Sequence, residues 1–187
     1  MKSLQQQTDE ELMVLIQAHN HDAFSELVLR HSDRFYALSY RTLFNQSDAE
    51  DIVQESFLKL WHKPTLWKSK RGSKFTTWFY RLVVNACHDL NKKKSSQEYS
   101  FNDDDHDQAI EDDHSSPQLS DIEAALKQLP ERQRTALNLC FYEGLSNKEA
   151  AVIMDIRLKA LQSLIMRAKA ALKEHFNLSE ENDHANK

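Results

Sequence analysis

The sequence predicts an all-α protein: an N-terminal helical bundle plus a C-terminal helix-turn-helix domain, joined by a flexible acidic linker. Three observations carry that expectation. Only 2 of the 187 residues are Gly and 3 are Pro, against averages of roughly 7% and 5%, too few to turn the corners of a β architecture. Four capping boxes, Thr8…Glu11, Ser47…Glu50, Ser120…Glu123 and Ser146…Glu149, each head an apolar run of helical period, so a hydroxyl and a Glu can satisfy each other's backbone donors at a helix start. The charge falls in blocks.

The formal net charge of −5 hides that pattern. Residues 63–94 hold Lys63, Lys68, Lys70, Arg71, Lys74, Arg81 and Lys92–Lys94 against one acid, Asp89. Residues 95–119 hold Glu98, Asp103, Asp104, Asp105, Asp107, Glu111, Asp112 and Asp113 with no Lys or Arg. A basic surface next to an acidic Ser/Asn/Asp-rich run reads as a folded, anion-seeking unit followed by a flexible tether. The expected division is a first domain over 8–94, a linker over 95–119 and a second domain over 120–176, with a polar, frayed end beyond it. The linker is long enough to fold back, so its acids either shield the basic block or form a solvated tether.

Each helix divides into faces. From Asp48 to His62, Ala49, Ile52, Val53, Phe57, Leu60 and Trp61 make a buried stripe. Asp51, Gln54, Glu55, Leu58 and His62 lie opposite, as a plain solvated surface or, because Leu58 sits among acids, a partner-binding face. From Trp67 to Lys94 bases alternate with aromatics. Lysines and arginines follow a phosphate backbone while rings stack on unpaired bases; the competing reading makes the rings core and the lysines solubilising. Pro130 and Gly144 bracket a further helix. Ser146 then caps a short helix over 147–154, with small Ala150 and Ala151 at a close crossing, a turn at Asp155-Ile156-Arg157, and a second helix over 158–173. Its inward stripe is Leu161, Leu164, Ile165, Ala168 and Leu172. Lys159, Gln162, Ser163, Met166, Arg167, Lys169 and Lys173 lie off the stripe, suited to a DNA major groove or to a protein-binding hairpin.

Other chemistries find no residues. Cys87 and Cys140 are far apart without a CxxC, and the nine histidines include no pair at zinc-ligand spacing. Neither a metal nor a cofactor is expected. No catalytic constellation is present, so no enzyme is expected. No run approaches the roughly 18 apolar residues of a membrane span, which implies a soluble, cytoplasmic protein without membrane insertion.

Three segments resemble a known family. "DAEDIVQESFLKLW" (Asp48–Trp61), "FTTWFYRLVVNACHDLNKKK" (Phe75–Lys94) and "LPERQRTALNLCFYEGLSNKEAAVIM" (Leu129–Met154) are similar, in that order, to the extracytoplasmic-function (ECF) class of RNA polymerase sigma factors, the smallest members of the primary sigma family. The resemblance covers roughly residues 8–175. It implies an alternative sigma factor that binds core RNA polymerase and directs promoter-specific transcription initiation. Asp48, Asp51, Gln54, Glu55 and Leu58 would dock on polymerase. Lys68, Lys70, Arg71, Lys74, Phe75, Trp78, Arg81, Asn85, Lys92 and Lys93 would open the minus-10 element and hold the melted non-template strand, one base flipped from the stack. Arg157, Lys159, Gln162, Ser163, Met166, Arg167 and Lys169 would read the double-stranded minus-35 element. An anti-sigma factor is expected by family analogy.

The chain departs from the family pattern in places. Asp155 stands where the turn commonly has Gly, and Asp tolerates left-handed backbone. Gln162 and Leu164 stand where bases are common, which implies weak binding to DNA alone. Two rivals follow. A response-regulator-like activator would need β/α alternation that residues 1–94 lack. A sigma-like interaction protein would bind polymerase or a regulator without initiating transcription.

Overall fold

A computed structural model describes residues 3–68, 74–98 and 117–185. Among these, eight α-helices follow in order: α1 (Asp9–Gln17), α2 (His21–Leu43), α3 (Gln46–His62), α4 (Phe75–Glu98), α5 (Pro117–Gln128), α6 (Glu131–Leu137), α7 (Asn147–Ile153) and α8 (Leu158–Ala185). The all-α expectation holds. Most of the acidic run, and with it the choice between shield and tether, lies outside the described residues. No helix among the described residues is long and apolar enough to cross a membrane.

Two of the four capping boxes form as their spacing implies. Thr8 accepts from the Glu11 N–H at 3.2 Å while Glu11 takes the Thr8 N–H at 2.7 Å. Ser146 and Glu149 do the same at 3.3 and 3.0 Å. The other two expected starts are displaced. Phe44 adopts left-handed backbone (φ 52°) and ends α2, so the cap of α3 falls on Asn45, whose side chain accepts from the Asp48 N–H at 2.9 Å. Helix α5 begins at Pro117, ahead of Ser120, with proline where its missing N–H costs nothing. Helix α8 continues to Ala185, past the end expected at Lys173. The turn before it places Asp155 at φ 54°, the left-handed conformation anticipated there.

The short Phe44–Asn45 connection folds α2 and α3 into a hairpin, with α1 and α4 packed against it. Their shared core is aromatic. Phe79 of α4 lies 4.7 Å from Phe35 of α2 and 4.8 Å from Phe57 of α3, centroid to centroid, and edge or offset contacts of this kind add to burial. The Gln17 amide donates to the carbonyls of Pro64 and Trp67 at 3.2 and 3.3 Å, fastening the loop that buries the Trp67 ring. The second unit packs on small residues instead: Ala136, Ala150, Ala151 and Ala168 are buried with Leu161 and Ile165.

Sequence leaves the relative placement of the units to the linker and a partner. In the structure they touch directly. Helix α6, the π-helical turn Asn138–Tyr142 and α7 lie against α2 and α4, and one apolar cluster runs from Leu12 through to Ala168.

Candidate polymerase and nucleic-acid interfaces

Helix α3 has the two faces its periodicity implies. Ala49, Ile52, Val53, Phe57 and Leu60 are buried, Trp61 half-buried, and Asp51, Gln54, Glu55 and Leu58 all face out. Beside that outer face runs a groove of about 460 Å³ between α2 and α3, with Phe24, Val28, Tyr36, Val53, Phe57 and Leu58 in its wall and Asp33, Glu50 and Gln54 on its rim. Leu58, 45% exposed, is the apolar residue the rim surrounds. Asp48 differs from its neighbours: it is half-buried and ion-paired with Lys94 of α4.

Helix α4 presents a more mixed surface. Lys68, Lys74, Arg81, Asn85, Lys92 and Lys93 are exposed, and Trp78 is half-buried over Phe75 and Phe79. Lys70 and Arg71 lie outside the described residues. Phe75 corrects the sequence reading. Its side chain is 0% exposed, closed in by His31, Trp67, Trp78 and Phe79, so its ring is core and offers no face to a base. Its N–H donates to Glu10 Oε1 at 3.0 Å. Glu10 thereby satisfies one orphan donor of the α4 start and places a negative charge at the positive end of the helix.

Helix α8 turns Lys159, Gln162, Ser163, Met166, Arg167 and Lys169 to solvent, with Arg157 exposed in the turn before it. Lys159, Gln162/Ser163, Met166 and Lys169 recur at helical spacing on one outer stripe. Lys169 Nζ lies 4.6 Å from the centre of the exposed Phe141 ring, while the Ser163 hydroxyl donates back to the Lys159 carbonyl at 3.0 Å.

Between the units sits a carboxylate that sequence reading missed. Glu143 follows the π-helical turn, just ahead of Gly144 at φ 67°, with its side chain 4% exposed. Arg34 Nε donates to it at 2.8 Å, Arg41 Nη2 at 2.6 Å and the Tyr80 hydroxyl at 2.6 Å. Arg34 also reaches the Glu143 carbonyl at 3.0 Å. Burial, joined by the hydrogen bond and charge of Glu143, raises the Tyr80 pKa above its ordinary value, so the hydroxyl is a permanent donor. The available signal was that Glu143 is the one charged residue between Thr135 and Asn147.

More contacts cross the same seam. Arg81 pairs with Asp155 of the helix-turn-helix turn at 3.1 Å. Glu131 receives His88 Nδ1 and the Asn91 amide, both at 2.9 Å. Asn85 lines a small hollow of about 50 Å³ with Glu131, Arg132 and Met154.

Comparison with known proteins matches this arrangement. Residues 27–97 fit the family "Sigma-70 region 2" and residues 119–172 fit "Sigma-70, region 4". The "ECF RNA polymerase sigma factor SigE" of Mycolicibacterium smegmatis is 30% identical over 160 residues, covering 82% of this chain and 61% of that protein. The "RNA polymerase sigma-H factor" of Pseudomonas aeruginosa is 30% identical over 185 residues, covering 90% of this chain and 94% of its own. Among solved structures, the sigma factor RpoE in complex with the anti-sigma factor NepR from Bartonella quintana superposes with a TM-score of 0.69 at 25% identity, over 82% of this chain and 96% of that one.

The class defined is that of two-unit, sigma-70-type transcription factors, with region 2 ahead of region 4. Within it, the chain belongs to the ECF sigma factors.

Proposed function

We propose that this chain binds core RNA polymerase through the outer face of α3 and directs it to promoters, with α4 holding the melted minus-10 strand and α8 reading the minus-35 duplex. The observation that carries the reading is the α3 face. Asp51, Gln54, Glu55 and Leu58 stand free beside an apolar groove, an acidic rim around a hydrophobic contact such as partner surfaces use, inside the segment that fits region 2. Trp78, Arg81 and Asn85 then supply stacking, charge and an amide on neighbouring turns of α4, and Lys68, Lys74, Lys92 and Lys93 supply phosphate contacts. The α8 stripe from Lys159 to Lys169, with Arg157 before it, supplies groove contacts.

The functional division is 8–94 for polymerase and minus-10 contacts, 95–119 for the linker, and 120–176 for minus-35 contacts. The protein works without catalysis of its own, in the cytoplasm. The complex of the sigma factor RpoE with the anti-sigma factor NepR from Bartonella quintana is the precedent for an anti-sigma partner here.

Run-off transcription with purified core polymerase, on a library of upstream fragments from the source genome, tests the reading. Discrete starts sharing two spaced elements, lost in Trp78→Ala or Asn85→Ala, are expected. Co-elution with polymerase but no starts would overturn initiation and leave a sequestering protein. Neither signal would overturn both.

A further inference from the structure

We propose that Glu10 and Gln17 of α1 are positioning residues for minus-10 recognition. By holding the two peptide groups that flank Lys68 and Lys74, they set where these lysines and Trp78 meet the melted strand. The inference rests on the assignment of these residues to the minus-10 strand made above.

Helix α1 grips the chain at two points. The Gln17 amide donates to the carbonyls of Pro64 and Trp67 at 3.2 and 3.3 Å, and the Trp67 carbonyl belongs to the peptide group that leads into Lys68. Glu10 Oε1 accepts the Phe75 N–H at 3.0 Å, and that N–H belongs to the peptide group that leads out of Lys74. Glu10 and Gln17 stand about two turns apart on one side of α1. The buried rings of Trp67 and Phe75 meet at 6.3 Å, centroid to centroid. Lys68 and Lys74 are exposed, so each combines a pinned backbone neighbour with a solvent-facing side chain.

The start of α4 shows why α1 is needed there. Helices α1, α2, α3 and α7 are capped by the residues just before them, Thr8, Asn20, Asn45 and Ser146. Before Phe75 stands Lys74, whose ammonium only donates and whose charge opposes the positive end of a helix. No acid lies in the first turn of α4. A residue suited to phosphate therefore occupies the place where a cap would serve the fold better, and Glu10, 65 residues earlier, supplies the acceptor and the negative charge. Trp78 inherits the placement, since its N–H donates to the Lys74 carbonyl at 3.2 Å.

Helix α1 can act as the reference because it is itself seated. Leu12, Met13 and Ile16 are wholly buried, and Asp9 ties the helix start to Arg30 and His31 of α2. A binding constellation needs supports that hold it to within about 0.5 Å.

The test uses the full chain with core polymerase on a promoter recovered by the run-off screen. Two template panels carry single-base substitutions, one in the minus-10 element and one in the minus-35 element. A fluorescent oligonucleotide of the non-template minus-10 sequence reads strand affinity. Glu10→Ala should weaken that affinity roughly tenfold, as loss of a charge-assisted bond implies. It should also narrow the spread of output across the minus-10 panel, while the minus-35 spread and polymerase affinity stay as in wild type. Glu10→Gln keeps an acceptor oxygen and should return to within about threefold of wild type. Gln17→Met should weaken strand affinity roughly threefold. Should Glu10→Ala fail to fold, Glu10→Gln and Gln17→Met decide.

A uniform fall across both panels with both spreads intact would overturn the inference and leave α1 as a structural brace. Wild-type behaviour of Glu10→Ala beside an impaired Trp78→Ala would also overturn it, with the assignment of α4 standing. Wild-type behaviour of both variants, or a screen without starts, would remove that assignment and the inference with it.

Discussion

Helices α3 and α4 lie side by side on one aromatic core, and their outer faces meet opposite fates. The polar face of α3 is exposed at Asp51, Gln54, Glu55 and Leu58, and no ion pair or hydrogen bond from the second unit among the described residues reaches it. The basic face of α4 is met by acids from the second unit, Asp155 at Arg81 and Glu131 at His88 and Asn91. In sequence the first reads as an acidic face around Leu58 and the second as bases among aromatics, and neither pattern says what the second unit will reach. The difference shows that exposure within a helix is a local property, whereas availability depends on what the rest of the chain brings.

The largest perturbation removes the support common to both helices. Phe79 touches Phe35, Phe57 and Phe75 and is wholly buried. Phe79→Ala should cost about 3–5 kcal/mol, measured by urea or thermal unfolding, and should impair both faces together. Destabilisation below about 1 kcal/mol would mean that α3 and α4 are positioned independently, and the comparison would break.

A smaller effect should separate the faces. Leu58→Asp places a carboxylate in the rim of the α2–α3 groove, where burial against a partner would be unfavourable. Affinity for core polymerase should fall roughly 100-fold, about 2.7 kcal/mol, while melting temperature and single-strand binding stay as in wild type. Unchanged polymerase affinity would remove α3 from the docking surface.

How far these features were legible in sequence follows from their range. The stripe of α3, the capping boxes at Thr8 and Ser146, and the left-handed turn at Asp155 all depend on residues within one or two helical turns. Each is where local chemistry puts it. The start of α3 moved because Phe44 ended α2 in a left-handed conformation, which no local propensity for Ser47 could register. Phe75 read as an aromatic among bases and proved to be core, because a loop fastened by Gln17 folds Trp67 over it. Glu143 was invisible for the same reason at longer range. Its partners Arg34 and Tyr80 come from separate helices, and periodicity says nothing about which helices meet.

A modest effect tests the floor on which both helices rest. Asp9 holds the start of α1 to α2, accepting from Arg30 Nη1 at 3.0 Å and lying 2.8 Å from His31 Nε2. Burial pushes its pKa up, but the hydrogen bonds and charges of His31 and Arg30 outweigh that and hold it below the usual value. A lowered carboxylate stabilises the fold above its unfolded pKa of about 3.9, and the gain is lost as pH falls through the folded value. Asp9→Asn should therefore cost about 1 kcal/mol at pH 7, allowing for solvent screening. The gap between variant and wild type should close below about pH 4. A gap that persisted at pH 2 would assign the loss to packing rather than charge.

The smallest effect concerns the ion pair that joins the two faces, Lys94 of α4 with Asp48 of α3. Lys94 is 47% exposed, and such pairs contribute roughly 0–1 kcal/mol because water screens them and ordering a long side chain costs entropy. Lys94→Ala should leave thermal stability within about 0.5 kcal/mol of wild type. What it changes is the charge of α3, since Asp48 loses its cation and joins Asp51 and Glu55 as an acid with no ion pair among the described residues. If the docking face works by an acidic rim, polymerase affinity in Lys94→Ala should hold or rise slightly while the salt dependence of binding steepens. A fall in affinity with stability intact would mean that the Lys94 ammonium itself touches polymerase. The boundary between the two faces would then lie on α4, not between α3 and α4.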